Sequence, residues 1–262
     1  RKMKIVVTGT RGIPGIQGGV ETHCQELYPL IADEQHEIIV IRRPNYAVER
    51  SVQIYKQVAI KDISAPRSKH LQAFVHTFKA VIYARKVKAD IVHIHAVGPA
   101  LMTPVARLLG MKVVITHHGP DYDRDKWGRF AKWILCMGER AGVYYANHII
   151  VISEHIRQII YHQYSAKRNV TLIHNGVNVP TRVIGTEYLE SLDLREYGYV
   201  LAVGRFVKEK NLDQLVEAFT QLSSPSMKLV IAGDADFQDE YAQKLKEVCW
   251  KQKNICLTGF IK

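Results

Sequence analysis

Residues 200–212, Val200-Leu-Ala-Val-Gly-Arg-Phe-Val-Lys-Glu-Lys-Asn-Leu212, join an apolar run to an amphipathic segment through a short loop that carries cations. The apolar run stops at Gly204, and a buried strand followed by a loop and a helix is the repeating element of α/β folds. Arg205 offers a planar fork of donors and Lys210 a compact charge, near a helix start whose free N–H groups attract anions. The stretch therefore predicts a strand end that holds a phosphate group, although solvated surface charges remain an alternative.

Apolar runs of strand length recur along the chain and alternate with helical patterns. Most of these runs are continuous, which is typical of strands buried on both faces of a parallel sheet. The predicted strands are Lys4–Thr8, Glu37–Ile41, Asp90–His95, Lys112–Thr116, His148–Ile152, Val170–Ile173, Tyr199–Val203, Lys228–Ala232 and Ile255–Thr258. The predicted helices include Val20–Ala32, Leu71–Val87, Ala100–Leu109, Gly128–Tyr145, Leu212–Leu222 and Asp239–Lys251. This alternation predicts an α/β fold with doubly wound parallel sheets.

Two Rossmann-like domains are predicted from a cluster of turn residues in the middle of the chain. Turn-forming and polar residues extend from His174-Asn-Gly-Val-Asn-Val-Pro180 to Gly198, and a length of 262 residues suits roughly two domains. We place the first domain at residues 1–180 and the second at residues 181–262. The second has about three predicted strands where a doubly wound domain usually has about five or six, so we expect it to be incomplete.

The basic charge is concentrated in the first domain. The chain has a net charge of +11, and residues 1–180 hold 25 Lys and Arg against 13 Asp and Glu, whereas residues 181–262 hold 11 against 12. This asymmetry predicts either an anionic partner, such as a membrane surface or a lipid diphosphate, or a solvated basic face. A nucleic-acid partner is not expected, because no recognition helix or RNA-binding aromatic strand is recognisable.

Composition favours a cytoplasmic protein. Hydrophobic residues make up 47% of the chain but stand in short runs, and none approaches the roughly 20 residues of a membrane span. The N-terminal segment has cations but no apolar signal-peptide region. The four cysteines form no CxxC pair and no metal-ligand spacing, which predicts reduced thiols. Peripheral contact with the inner face of the membrane remains an open alternative.

Two glycine clusters follow the first predicted strand. They are Gly9-Thr-Arg-Gly-Ile-Pro-Gly15 and Gln17-Gly-Gly-Val-Glu-Thr-His23. Gly18 and Gly19 precede a helix start, where unpaired N–H groups suit a phosphate, and Glu21 and His23 project from its first turn. Because open α/β sheets bind ligands at the carboxyl ends of their strands, we predict a ligand site here.

The spacing Gly9-x-x-Gly12-x-x-Gly15 also matches the NAD(P)-binding fingerprint of short-chain reductases and epimerases, which is an alternative function. Tyr122 and Lys126 imitate the catalytic Tyr-x-x-x-Lys pair of those enzymes. Their surroundings read as a polar loop, however, and not as the helix that would align the two side chains. The second strand ends in Arg42-Arg43, which supplies no acid for an adenosine ribose but could accept a 2′-phosphate.

Histidines gather at the ends of two later strands. His93 and His95 share one face of their strand, and Thr116-His117-His118-Gly119 ends another. A histidine followed by glycine can approach a sugar ring closely. Neutral, hydrogen-bonded imidazoles are the expected state, and no metal site is predicted, because no further ligand type converges on them. Asp121-x-Asp123-x-Asp125 lacks the glycine and the glutamate of a calcium-binding loop.

Two further segments carry apolar residues at helical spacing. Leu71–Lys88 ends in a basic cluster, which predicts either a helix packed on its own sheet or a helix that lies on an anionic membrane surface. Trp127, Phe130, Trp133 and Ile134 are predicted first as core residues and second as the rim of a binding site.

Six motifs in order give the chain a resemblance to the family 4 glycosyltransferases, which have the GT-B architecture. They are Gly18-Gly19, Asp90-Ile-Val-His-Ile-His95, His117-His118-Gly119, His174-Asn-Gly-Val-Asn178, Gly204-Arg205 with Lys210, and Val230-Ile-Ala-Gly-Asp234. Each lies at a predicted strand end, and together they cover nearly the whole chain. His118-Gly-Pro-Asp121 and Lys126-Trp-Gly128 look most similar to bacterial rhamnosyltransferase-like members.

The resemblance implies a retaining hexosyltransferase that moves a sugar from a nucleotide-diphosphate donor to a glycan or lipid-linked acceptor in cell-surface polysaccharide synthesis. It implies no metal cofactor. The first domain would take the acceptor and the second the donor, and His118 would be the catalytic residue beside the transferred sugar. The donor-binding residues implied are Gly18, Gly19, Arg205, Lys210, Gly233 and Ile261, and the acceptor-binding residues are Glu21, His23, Asp121, Lys126 and Trp127.

The family pattern continues past the last predicted strand with a Glu-x7-Glu motif whose glutamates contact the donor, and the sequence stops at Lys262 without it. We therefore expect weak donor binding and little or no turnover, and a nucleotide-binding remnant without catalysis is a further alternative. No obvious carboxylate nucleophile is present, so a covalent intermediate is not expected.

Overall fold

The computed structural model describes residues 1–66, 72–123, 127–164, 169–179, 181, 185–222, 226–235 and 239–261. Contacts divide the chain into two compact units, Arg1–Asn178 and Val179–Lys262. Each unit contains its own sheet with helices packed against it. Within the described ranges, no helix combines the length and apolarity needed to cross a bilayer.

The first unit is built on an eight-stranded sheet. Its strands are β1 (Met3–Thr8), β2 (His36–Arg42), β3 (Ile54–Tyr55), β4 (Val58–Asp62), β5 (Ile91–His95), β6 (Lys112–His117), β7 (His148–Val151) and β8 (Val170–Leu172). The spatial order is β3-β4-β2-β1-β5-β6-β7-β8. The described pairings are parallel except for the antiparallel β3–β4 pair, so the carboxyl ends of the other strands meet at one edge.

Helices cover both faces of this sheet. They are α1 (Gly19–Ile31), α2 (Gln72–Lys86), α3 (Thr103–Leu108), α4 (Arg129–Tyr145) and α5 (Glu154–Tyr164). Cys24 and Tyr28 of α1 pack on one face together with Val7 of β1. Ala80 of α2 packs with Val6 on the opposite face. Neighbouring residues of β1 therefore belong to different cores, as expected for a strand buried on both sides.

The same alternation decides which histidines face α1. Ile94 of β5 packs in the core under α2, which turns His93 and His95 toward α1. In the neighbouring strand β6, Thr116 has the orientation that faces α1 and His117 has the opposite one. Consecutive residues at the end of β6 are thereby directed to different faces of the sheet.

The second unit contains a three-stranded parallel sheet with the order β11-β10-β9. Its strands are β9 (Tyr199–Val203), β10 (Lys228–Ala232) and β11 (Ile255–Gly259), and its helices are α6 (Glu187–Ser191), α7 (Leu212–Gln221) and α8 (Glu240–Trp250). Phe206, Leu229 and Ile231 form the centre of its core. The Asp239 side chain accepts a hydrogen bond of 2.9 Å from the Ala242 N–H and caps the start of α8.

Among the strands and α-helices of the described ranges, β3, β4, α5 and α6 were not predicted from the sequence patterns. β3 is two residues long, and α6 has no buried residue, so neither leaves a clear apolar pattern. α5 buries only Ile156 and Ile160, which are one helical turn apart. Each of these elements buries so few apolar residues that its sequence pattern cannot be distinguished from that of a loop.

The prediction of Phe130 and Trp133 as core residues is wrong. Their side chains are 74% and 59% exposed, and the two rings lie near each other with centroids 6.1 Å apart. α4 instead turns Gly138, Glu139 and Gly142 inward. A Cβ at Gly138 or Gly142 would collide with neighbouring atoms. The face of α4 that carries these glycines is therefore the buried one.

Candidate functional site

The loop after β1 is fastened to the start of α1 by one carboxylate. Glu21, which is buried, accepts hydrogen bonds from the backbone N–H of Arg11 (2.9 Å) and from Arg11 Nε (3.3 Å). Gly18 caps α1 with φ of 147°, and a side chain there would collide with the Glu21 carboxylate. Apart from the adjacent residues and the helix's own backbone, no described atom lies within 4 Å of a Cβ built on Gly19, so the helix start is sterically open. The predicted residues Gly18, Gly19 and Glu21 thus form one structure, in which Glu21 is already bonded to Arg11.

A chain of hydrogen bonds connects β6, β5 and α1 with His118. Thr116 Oγ1 lies 2.8 Å from His93 Nε2, and His93 Nδ1 lies 2.8 Å from Tyr28 Oη. The same hydroxyl oxygen lies 2.6 Å from His95 Nε2, and His95 Nδ1 lies 2.9 Å from His118 Nε2. We call these five residues the histidine relay. Only His118 is more than slightly exposed, so solvent reaches the relay at that end.

Burial keeps the imidazoles of the relay uncharged. Burial, reinforced by the neighbouring imidazoles, lowers the pKa of His93 to about 3 and the pKa of His118 to about 4. For the same reasons the pKa of His95 lies well below its ordinary value. At neutral pH each of these rings therefore carries one N–H, and each can donate one hydrogen bond and accept one.

His117 faces away from the relay and organises the turn that follows β6. Its Nε2 donates to the buried carboxylate of Glu139 on α4 (2.6 Å), and its Nδ1 accepts from the Gly119 N–H (3.1 Å). Glu139 also accepts from the hydroxyl groups of Tyr122 (3.2 Å) and Tyr164 (2.6 Å). Both ring nitrogens of His117 are occupied, so this residue holds the backbone around His118 in place.

The structure brings the predicted residues His23 and His118 together. Their rings are edge to face with centroids 5.4 Å apart, and both side chains are half-buried. Burial lowers the pKa of His23. Asp121 begins a 3-10 turn after the Gly119 backbone, and Trp127 precedes α4 and is half-buried. Lys126 lies outside the described residues. The roles of these residues toward an acceptor stay predictions.

Within the described ranges, no group of three or more His, Cys, Asp or Glu side chains is arranged to hold a metal ion. For the residues of the histidine relay, the hydrogen bonds give the reason. Its ring nitrogens approach one another, Tyr28 and Thr116 at 2.6–2.9 Å, so they share protons with neighbouring groups and do not converge on one point.

In the second unit, β9 ends in the predicted phosphate loop. The Gly204 N–H donates to the Ala232 carbonyl (2.9 Å), and the buried Phe206 anchors the next turn in the core. Arg205, between these anchors, is exposed. The aliphatic part of the Lys210 side chain lies beside Gly204, since a Cβ on Gly204 would lie 3.9 Å from Lys210 Cγ and Cδ. Lys210 thus lies at the carboxyl end of β9, immediately before α7.

Gly233 allows β9 and β10 to meet closely at this edge. Its φ is 131°, and a Cβ there would collide with the carbonyl oxygen of Gly204. The Gly233 N–H donates to the Gly259 carbonyl (2.8 Å), which continues the contact to β11. Ile261, just beyond β11, is 54% exposed. Gly204, Gly233 and Ile261 therefore follow the carboxyl ends of three adjacent parallel strands.

Sequence reasoning did not single out Arg11, Tyr28, Thr116 and Glu139 as parts of the site. Thr116 stands two residues before His118, and this strand spacing was a usable signal that both side chains share a face. Glu139 lies between Gly138 and Gly142 in an amphipathic helix, and an acidic residue in that position indicates a buried carboxylate with a partner. Tyr28 gives no local signal, because its role depends on which strands α1 covers.

The two units, with their mainly parallel sheets and the glycines that follow their strands, have the α/β fold of the GT-B class. The Glycosyltransferase Family 4 model matches residues 17–180, and the Glycosyl transferases group 1 model matches residues 187–262. The chain belongs to these family 4, group 1 glycosyltransferases. Its activity is therefore that of a glycosyltransferase.

Known proteins agree with this assignment. In an alignment of 288 positions, which covers 99% of this chain and 70% of the relative, the chain is 25% identical to the uncharacterized glycosyltransferase MJ1607 of Methanocaldococcus jannaschii. It is 33% identical over 89 residues to a Campylobacter jejuni transferase named for N-acetylgalactosamine transfer to a diphospho-undecaprenol glycan, over 34% of this chain and 23% of that protein. HepE of Anabaena in complex with UDP-glucose has the same fold, with 15% identity and a TM-score of 0.78 over 99% of this chain and 70% of HepE.

The alternative of an NAD(P)-dependent short-chain reductase finds no support in these matches. The structure gives physical reasons. Tyr122 lies in a 3-10 turn and donates its hydroxyl to Glu139, so it is not aligned on a helix for catalysis. Arg42, which could have accepted a 2′-phosphate, is buried and paired with Asp62 at 2.7 Å.

Proposed function

We propose that this glycosyltransferase moves a hexose from a nucleoside-diphosphate donor to a glycan or lipid-linked acceptor with retention of anomeric configuration. The observation that carries the proposal is the loop after β9, where Lys210 packs against Gly204 at a strand end. The helix α7 begins two residues after Lys210. A cation beside bare backbone and a helix start is an arrangement suited to a diphosphate.

On the donor side, Arg205 and Lys210 would offset the negative charge that develops on the departing nucleoside diphosphate. Fixed cations and N–H donors stabilise such charge best, because they need no reorganisation when the bond breaks. Gly233 and Ile261 would line the same pocket. The UDP-glucose complex of HepE makes a uridine diphosphate sugar the first donor to test. The rhamnosyltransferase resemblance makes a deoxyhexose the second.

On the side of the first unit, His118 would contact the transferred sugar, and His23 beside it would contact the acceptor. The buried carboxylates described near this strand edge, Glu21 and Glu139, are bonded to Arg11 and His117. A carboxylate held in this way is poorly placed to attack an anomeric carbon, so we propose no covalent glycosyl–enzyme intermediate. The proposed mechanism relies on leaving-group stabilisation and on positioning of the acceptor.

We further propose that the acceptor is presented at the cytoplasmic face of a membrane, in cell-surface polysaccharide synthesis. The Campylobacter relative is named for a diphospho-undecaprenol acceptor, which supports a lipid-linked one. Phe74, Phe78 and Ile82 form a stripe on α2, one turn apart, and each is between 40% and 45% exposed. Arg85 and Lys86 follow in the last turn. An exposed apolar stripe that ends in cations suits an anionic bilayer surface.

The donor half of the proposal is tested by calorimetric titration of the chain with UDP, GDP, TDP and NADPH. We expect one nucleoside diphosphate to bind and Lys210→Ala to weaken that binding at least about tenfold, the effect of about 1.4 kcal/mol. Lys208→Ala is the matched control, because Lys208 is an exposed lysine of the same 3-10 turn. Equal loss in both variants, or binding of NADPH alone, would refute the donor assignment.

Turnover and membrane contact need separate measurements. Any product formed from the donor that binds and a diphospho-lipid acceptor should be α-linked when the donor is α-linked, which NMR of the anomeric proton reports. Cosedimentation with anionic vesicles should be reduced by Phe78→Ser. Leu30→Ser is its control, since Leu30 is an exposed apolar residue of α1 on the opposite sheet face. A product with inverted configuration, or equal cosedimentation of both variants, would count against the corresponding part.

A further inference from the structure

The hydrogen bonds of the histidine relay cannot be oriented independently of one another. Each neutral imidazole has one N–H, so a ring that accepts at one nitrogen must donate at the other, whereas the Tyr28 hydroxyl has one proton and can accept twice. Three orientations supply one proton to each of the four bonds. The orientation in which Tyr28 accepts from both His93 and His95 leaves its buried hydroxyl proton without an acceptor among the described residues and is disfavoured. Two orientations remain. In one, protons point from His118 toward Thr116, and His118 presents the bare Nδ1 outward. In the other, protons point from Thr116 toward His118, and His118 presents Nδ1–H outward.

The ring geometry fits a continuous relay. The rings of His95 and His118 are inclined by 22° with centroids 5.2 Å apart, and their facing nitrogens are 2.9 Å apart. Nearly coplanar rings at this separation form an in-plane N–H···N bond. Among the described residues, Nδ1 of His118 has no hydrogen-bond partner, and it lies at the end of the relay that solvent reaches.

The hydroxyl proton of Thr116, at the buried end, favours the second orientation. Thr116 Oγ1 has His93 Nε2 as its hydrogen-bond partner, and its hydroxyl proton finds an acceptor only when it points to that nitrogen. In the first orientation this proton lacks an acceptor within the described part of the chain, and a buried unpaired donor is destabilising.

We infer that Thr116, His93, Tyr28 and His95 are positioning residues that hold His118 in its Nδ1–H form, as a hydrogen-bond donor to a substrate oxygen. A ring in this form offers no basic nitrogen to the substrate, because Nε2 is occupied by His95. The oxygen recognised is that of a sugar hydroxyl or of a phosphate, both of which accept hydrogen bonds. The chemical class of this ligand rests on the proposed function, whereas the form of the ring does not.

Long-range ¹H–¹⁵N NMR of the full chain with ¹⁵N-labelled histidine tests the inference, with His118→Gln used to assign the signal. At neutral pH we expect Nδ1 of His118 to carry the proton and Nε2 to have the shift of an unprotonated ring nitrogen. A protonated Nε2, or a doubly protonated ring, would overturn the inference. The spectrum reports the form of the ring whether or not the chain transfers sugar, so its failure is distinguishable from failure of the proposed function.

Two variants test the positioning role itself. Tyr28→Phe interrupts the relay in its middle, and Thr116→Val removes the proton that sets its direction, so each should convert the single His118 form into a mixture. Tyr164→Phe is the control, because it removes the hydroxyl of a half-buried tyrosine that is bonded to Glu139 and not to the relay. An unchanged His118 signal in a folded Tyr28→Phe or Thr116→Val protein would overturn the role of the relay. With UDP-glucose as probe, we expect the Nδ1–H signal to shift in the unaltered chain and to shift with reduced intensity in Tyr28→Phe, where only part of the population carries that proton.

Discussion

His76 of α2 offers a direct test of how strictly this fold keeps its buried histidines neutral. The side chain is fully buried, and neither ring nitrogen makes a hydrogen bond of good geometry among the described residues, although the backbone of Arg42 lies near enough to raise the pKa slightly. Burial, helped by the neighbouring Arg43 guanidinium, lowers the pKa of His76 to about 3. In the unfolded chain the ring titrates with an ordinary pKa of about 6.5.

The unfolded state therefore binds a proton at His76 that the folded state refuses, and stability falls as the pH decreases below about 6.5. At pH 5 this single group costs about 2 kcal/mol, and at pH 7.5 it costs about 0.1 kcal/mol or less. The result at pH 5 changes little for any folded pKa below about 4, because the unfolded state dominates the difference. The effect continues until the pH approaches the folded pKa.

Replacing His76 with leucine, which has a similar volume, should remove this proton linkage. We expect His76→Leu to stabilise the first unit at pH 7.5, because it removes two unpaired buried nitrogens, and to stabilise it by about 2 kcal/mol more at pH 5. Urea unfolding followed by tryptophan fluorescence measures both values. A Trp250→Phe background confines the fluorescence to Trp127 and Trp133 of the first unit.

The control for this experiment is His155→Leu, since His155 is exposed on α5. It corrects for the general effect of exchanging an imidazole for an aliphatic side chain. The reasoning is refuted if the difference between His76→Leu and the parent protein is the same at pH 5 and pH 7.5. Such a result would mean that His76 accepts a proton as readily in the folded chain as in the unfolded one.

Two further predictions concern the buried Glu139 carboxylate of the first unit and the carboxyl-end edge of the sheet in the second unit. Glu139→Gln weakens charge-assisted bonds to His117 and two tyrosines, so urea unfolding should show a loss of about 1–3 kcal/mol, with the exposed Glu154→Gln near zero. Gly233→Ala places a methyl group on the Gly204 carbonyl at positive φ and should cost at least about 2 kcal/mol in thermal unfolding of the second unit. Gly204→Ala, whose methyl group would meet Lys210 at an ordinary 3.9 Å, should cost less than about 1 kcal/mol. Similar losses in a variant and its control would contradict the corresponding explanation.

The parallel strands were the most predictable part of this fold. β1 and β10 are buried on both faces, and each therefore contains an unbroken apolar run with little competing pattern. The antiparallel β3–β4 pair depends on a two-residue strand, which has no periodicity to detect. The exposed Phe130 and Trp133 show the converse limit, because spacing on a helix indicates a stripe but not whether anything covers it.

The candidate site was predictable only in its strand-end residues. Glycines and histidines at the carboxyl ends of parallel strands meet at one edge by the topology of the sheet, so His118 and His23 could be brought together from sequence. The partners of His118 could not. Tyr28 reaches the histidines because α1 crosses β5 at one particular place, and this contact is a result of packing in the whole unit.

Adjacent histidines at the end of β6 show how the sheet separates support from recognition. Strand alternation sends His117 to the side of α4, where Glu139 and the Gly119 N–H occupy both of its nitrogens. It sends His118 to the side of α1, where one nitrogen is bonded to the relay and the other is left for a ligand. A one-residue shift of β6 would exchange these environments and leave the ligand with a ring that has no vacant nitrogen. The register of β6 against β5, maintained by five paired residues, is therefore as important to the site as the histidine itself.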